Sequence, residues 1–222
     1  MDQANQMIGW IRTASNGELD DYLVGHPMAA GLTTAEGVSL LLFAVYCRNQ
    51  EAVDIIKKHK PSLDAYEAAC IGEKTVLENI LDANPEIINS PSPDGFSLLG
   101  YACFFGQESI ARMLIERHAS VNQASANAFK VTPLHSACAN SDYKLAVLLL
   151  ENGADVNARQ ASGYTPLHSA ANNGQTALAQ LLLDAGADPD AANDDGELPY
   201  DIAVKKSFFE TAECIRSYER GM

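Results

Sequence analysis

T-P-L-H-S-A stands at Thr132–Ala137 and again at Thr165–Ala170, 33 residues further on. Each letter has a local reading. In Thr165-Pro166-Leu167-His168 the threonine is a natural N-cap, its hydroxyl placed to accept a free backbone N–H. The proline falls at the first helical position, where its missing donor costs nothing. Ala170 and Ala171 allow close helix approach, and Gly174 ends this first helix. A second helix then carries Leu178, Leu181 and Leu182, an i, i+3, i+4 stripe, before Gly186 as a left-handed C-cap. One period earlier Leu145, Leu148, Leu149 and Gly153 repeat the scheme.

With the closing alanine as anchor, Ala137 and Ala170 are joined by Ala203 downstream and by Ala102, Ala68 and Ala44 upstream. A weaker copy lies around Thr13-Ala14. Gly or a small polar residue follows most anchors at four positions: Gly17, Gly72, Gly106, Ser141, Gly174 and Ser207. About seven helix pairs result, the first and last degenerate. One such unit cannot cover its own leucine stripe. Stacking against a neighbour does so, at about 1.5–3 kcal/mol per fully buried Leu, and this is why the units come in tandem.

Composition narrows the function classes. The chain has 222 residues, 47% of them hydrophobic, and carries 29 acidic against 15 basic side chains for a net charge of −14. Such a surface repels phosphate backbones and anionic lipid, so neither nucleic acid nor membrane is an expected partner; a basic protein surface is permitted. Cys47, Cys70, Cys103, Cys138 and Cys214 form no C-x-x-C pair and sit in apolar helical patterns, which fits free thiols in a reducing cytoplasm. Met1-Asp2-Gln3-Ala4-Asn5 lacks a basic n-region, so no signal peptide is expected.

T-P-L-H-S-A followed by G-A-D-V-N (Gly153–Asn157), and again by G-A-D-P-D (Gly186–Asp190), resembles the ankyrin repeat. The resemblance extends through Asp94-Gly95-Phe96-Ser97-Leu98-Leu99 and Asp195-Gly196-Glu197-Leu198-Pro199-Tyr200, covering about Ala68 to Ile215. It implies an all-α ankyrin-repeat solenoid of about six to seven stacked helix-turn-helix units, with short β-hairpin fingers lining a concave groove. The expected organisation is one domain over 1–222: a degenerate N-terminal cap at 1–33, divergent repeats at 34–60 and 61–91, typical repeats at 92–126, 127–159 and 160–192, and a C-terminal cap at 193–222. The Ala44-to-Ala68 interval is too short for a finger, so 60–64 joins its units directly. The Ala102-to-Ala137 interval holds two extra residues around 125–129, which predicts a longer finger there.

Catalytic and metal chemistry find no foothold. G-x-x-x-x-G-K-[ST], G-x-S-x-G and H-E-x-x-H are absent, so no enzyme is expected. His135 and His168 hold the motif position, where stacked units roughly 10 Å apart could not share one metal ion with ligands at about 2 Å. Their expected role is structural. The acidic loop 188–197 fails a calcium test, because a calcium-loop alignment on Gly196 puts Ala191 and Ile202 where carboxylates are needed. No cofactor is implied.

The family resemblance points instead to the finger residues before the motif threonine and the two residues before the turn. Carried onto this chain, the candidate partner-binding residues are Asp94, Phe96, Phe104 and Phe105, then Phe129, Val131 and Asn140. Ser162, Tyr164, Asn172 and Asn173 follow, and finally Asp195, Glu197 and Lys205. Aromatic rings concentrate in the middle, as interface hot spots do. The expected function is a non-enzymatic module, acting as a monomer, that binds another protein through this face. The alternative is an acidic inhibitory or immunity-type subunit masking a basic enzyme surface.

Overall fold

The computed structural model describes residues 3–219. Its architecture is all-α: fourteen helices in seven antiparallel pairs among the described residues, with no strand. The pairs are α1 (Gln3–Thr13) with α2 (Asn16–Gly25), α3 (Leu40–Tyr46) with α4 (Gln50–His59), and α5 (Ala65–Ile71) with α6 (Lys74–Ala83). Next come α7 (Leu98–Phe104) with α8 (Glu108–Glu116) and α9 (Pro133–Ala139) with α10 (Tyr143–Glu151). Two further pairs close the series, α11 (Pro166–Asn172) with α12 (Thr176–Asp184) and α13 (Pro199–Lys205) with α14 (Phe209–Glu219). The chain forms two compact units, described separately: unit 1 runs up to Pro85 and includes Ser92–Asp94, and unit 2 comprises Glu86–Pro91 and the chain from Gly95 onward.

One backbone feature sets the period. Every pair turns at a residue with positive φ: Ala14, Arg48, Gly72, Gly106, Ser141, Gly174 and Ser207. Gly72, Gly106 and Gly174 reach this left-handed region freely, whereas the others bear a steric cost. The series corrects the first repeat. Its turn is Ala14, so Trp10 rather than Thr13-Ala14 holds the anchor position, and Gly17 lies inside α2. The missing glycine at this turn is what hides the register.

Unit 1 is built around Met7, Ile11, Leu19, Leu23, Leu40, Leu41, Val53 and Ile56, all buried. Two amides brace its first turn: Asn49 donates to the Ile11 carbonyl (3.0 Å) and to Asn16 Oδ1 (2.9 Å). The 60–64 join carries no finger and ends in a capping box, Asp64 accepting from the Glu67 N–H and Glu67 accepting from the Asp64 N–H, each at 2.9 Å. Glu67 is fully buried, its second oxygen taken by the Lys60 ammonium.

In unit 2 the fingers appear as hairpin turns, each closed by a single backbone bond: Ser125 N–H to Val131 C=O (2.8 Å), Gln160 to Tyr164 (2.9 Å) and Asn193 to Glu197 (3.0 Å). The first encloses five residues and the others three, so the longer finger falls where the spacing placed it. Successive fingers also bond to each other, Ala126 N–H to Gly95 C=O (2.7 Å), Ala161 to Phe129 (2.8 Å) and Asp194 to Ser162 (3.0 Å). Gly95 permits the first approach: its φ is +91°, and a Cβ there would sit 2.7 Å from the Asn127 nitrogen. With one closing bond per finger and one between successive fingers, no ladder long enough to count as a strand develops.

The motif histidines tie unit 2 together. His168 Nδ1 accepts the Thr165 N–H (3.1 Å), so the ring proton sits on Nε2 and points at the Glu197 carbonyl (3.2 Å) of the next finger. His135 Nε2 meets the Tyr164 carbonyl at 3.1 Å, and its Nδ1 meets the Thr132 hydroxyl at 2.8 Å. That hydroxyl makes no cap bond, so at Thr132 the expected capping role passes to a contact with the imidazole. On the loop side Asn122 and Asn157 do equivalent work. Each accepts from a backbone N–H one repeat later (Asp155 at 2.7 Å, Asp188 at 2.9 Å) and donates to a loop carbonyl (Gly153 at 2.9 Å, Gly186 at 3.0 Å).

Candidate functional site

The candidate residues separate into three environments. Phe96 and Phe105 lean on Tyr101, whose ring is buried, at centroid distances of 5.5 and 6.2 Å. Both are half-buried and contribute to packing. Phe104 meets Phe105 edge-to-face at 5.0 Å and 86° and remains 39% exposed. Two rings that are neighbours on one helix therefore divide the roles, one inward and one outward, as the 100° step of an α-helix requires.

The second environment is a notch between two fingers. Phe129, Val131, Gln160, Ala161, Ser162 and Tyr164 line a cavity of about 300 Å³. Phe129 is 65% exposed because the two extra finger residues lift it clear of the body, and its carbonyl holds the next finger through Ala161. The enlarged finger is braced from within. Asn127 Oδ1 accepts from the Phe129 N–H (3.0 Å) and the Ser125 hydroxyl (2.8 Å), and the Val131 N–H donates to that same hydroxyl oxygen (2.8 Å). Tyr164 closes the far wall, its ring 5.2 Å from the buried His168. Four of the candidates thus meet at one place. Gln160 and Ala161 complete it and were not singled out by the sequence; the signal for them was the closure of the 160–164 turn.

The remaining candidates are scattered. Asn140, Asn172 and Asn173 are exposed at the ends of α9 and α11, and Asn172 donates to Asn173 at 3.1 Å. Asp195 is exposed, whereas Glu197 accepts from the Lys205 ammonium (2.8 Å). That hydrogen bond lowers the carboxyl pKa of Glu197 and raises the ammonium pKa of Lys205. Asp194 pairs with Arg159 at 3.7 Å. Two of the carboxylates at the last finger are therefore already balanced. Asp94 belongs to unit 1, where it accepts the hydroxyls of Tyr46 (2.7 Å) and Ser92 (2.6 Å).

The reactive groups are held quiet. Burial pushes the His135 pKa down to about 4 and lowers that of His168. Burial likewise pushes the Cys138 thiol up to about 12 and takes Cys103 and Cys70 well above the ordinary thiol range. All five cysteines are free. Cys47, however, is exposed at the end of α3 and Cys214 half-exposed on α14, so the expectation of uniformly packed thiols fails at these two positions. Among the described residues no three His, Cys, Asp or Glu side chains converge as a metal site, and no helix is long and apolar enough to cross a membrane.

Models of ankyrin repeats match the chain twice, over residues 65–160 (three copies) and over 149–203 (many copies). Residues of this chain are 37% identical over 109 positions to the ankyrin repeat and SAM domain-containing protein 6 of Rattus norvegicus, covering 49% of this chain and 12% of that protein. The human BCL-6 corepressor-like protein 1 is 31% identical over 109 positions, covering 49% of this chain and 6% of its own. Alpha-latrocrustotoxin-Lt1a of Latrodectus tredecimguttatus is 31% identical over 97 positions, 41% of this chain and 6% of the toxin. The chain spans a small part of each relative's length, and the likeness is one of repeat architecture.

Proposed function

The chain belongs to the ankyrin-repeat family, whose repeats serve generally as protein–protein interaction modules, and from that premise we propose that it binds a partner protein, without catalysis, through the finger and first-helix face of unit 2. The observation that carries this reading is the notch between Phe129 and Tyr164: a preformed, largely apolar recess beside an aromatic ring that the fold leaves in water. Large exposed aromatics next to a fitted pocket are how interfaces anchor. The bonds inside and between the fingers fix the recess before binding, which lowers the ordering cost of association. The net charge of −14 favours the approach of a partner that is basic overall. The proposed setting is the reducing cytoplasm, supported by five unpaired thiols.

A photo-crosslinking amino acid placed at Phe129, and separately at exposed Lys144 on α10, tests the face. Crosslinking from 129 to a discrete protein, abolished by Tyr164→Ala, is the expected result. Crosslinking from 144 with none from 129 would assign binding to the opposite side.

A further inference from the structure

Unit 1 contains a groove of its own. It lies between α1, the turn at 34–38 and α3, encloses about 390 Å³, and has Ile8, Val38, Phe43 and Tyr46 among its walls. Arg12 also lines it, its guanidinium carbon 5.2 Å from the centre of the Phe43 ring. That placement sets it apart from the lysines of the unit. Lys57, Lys58, Lys60 and Lys74 are each in an ion pair, with Glu73, Asp20, Glu67 and Glu78 respectively. Arg12 has an aromatic face for support, and no carboxylate among the described residues comes within the 4.0 Å of an ion pair. Glu36 lines the same groove and feels the Arg12 charge only across a longer distance. Asp94, at the groove's edge, is occupied by the hydroxyls of Tyr46 and Ser92.

We propose that this groove binds a segment of a partner protein in which one acidic residue stands beside an apolar one, the carboxylate taken by Arg12 and the apolar side chain by the Ile8–Val38 wall. A guanidinium held against a ring keeps its N–H edges directed outward, the geometry that receives a carboxylate through two parallel bonds. Among the described residues no carboxylate pairs with those donors; Glu36 and Asp94, which share the lining, stay beyond ion-pair distance of Arg12. Charge limits the segment further. A net charge of −14 repels an acidic chain at long range, so the flanks of the single carboxylate are neutral or basic. The site is separate from the notch of unit 2, and neither reading depends on the other.

Selection of a random dodecapeptide phage library on the full chain is the test. The expected winners carry one Asp or Glu next to Leu, Ile or Phe. Such a peptide, made synthetically, loses affinity by about tenfold or more on Arg12→Met and less on Arg12→Lys, and binds unchanged to Phe129→Ala. Ala35→Trp, which fills the groove from its exposed rim and leaves the arginine in place, abolishes binding and guards against a folding defect in the arginine variants. Winners without an acidic residue, winners rich in Lys and Arg, binding indifferent to Arg12→Met and Ala35→Trp, or no enrichment at all would each overturn the proposal.

Discussion

At the scale of single residues, the two motif histidines show how one side chain converts a sequence motif into stacking. Each spans from its own helix cap to the carbonyl of the next finger, a bond for which Nε2 must carry a proton. Burial holds the pKa of His135 at about 4, against an ordinary value of 6.5. The sign follows. Between these values the unfolded chain takes up a proton that the folded one refuses, so stability falls as pH drops from 6.5 and levels off near 4. The full effect is about 3 kcal/mol. Urea denaturation in this window is expected to show the slope for the parent chain and a flatter one for His135→Gln. Equal slopes would mean that the ring titrates normally in the fold.

At the scale of elements, the enlarged finger and α7 make separate predictions. Lys130 adopts a φ of +52° to close the finger, which costs a residue bearing a Cβ about 1 kcal/mol or more. Lys130→Gly relieves this but loosens the unfolded chain, so a net gain of up to about 1 kcal/mol is expected, read as a modest rise in Tm. A fall would show that the lysine side chain contributes a contact. On α7, Phe105→Ala removes a ring packed on Tyr101 and should cost about 2 kcal/mol, whereas Phe104→Ala should cost under about 1 kcal/mol. Matched thermal melts of the two variants separate them. Reversed costs would exchange the inward and outward assignments and move the exposed aromatic surface with them.

At the scale of the molecule, stability adds up within each unit along its own pairs, each covering the apolar stripe of its neighbour. In unit 2 the last cover is α14, which presents Ala212 and Ile215, both buried, while Phe208 lies against Gly174. A chain ending at residue 192 would strip that cover from Leu178 and Leu182. It is expected to unfold at lower urea with a smaller m-value, since less surface remains to be exposed. An unchanged midpoint would mean that the final pair is dispensable.

The repeat period, the helix pairs, the finger-free join at 60–64 and the longer finger at 125–131 were all legible in the sequence. Caps, turns and leucine stripes act over three to seven residues, and their recurrence carries the architecture. The leucine run illustrates the limit. Leu178 and Leu182 are buried as their spacing requires, but Leu183 is more deeply covered than Leu181, because a neighbouring helix chooses which flank of the stripe it meets. The sites were less legible for the same reason. Phe129 meets Tyr164 across 35 positions, and Arg12 meets Phe43 across 31, through one finger bond in the first case and the packing of α1 against α3 in the second. The sequence by itself determined that modules of this kind stack. Only the tertiary structure decided which rings remain in water and that Arg12 rests on an aromatic face, since both are set by distances between helices that no local pattern encodes.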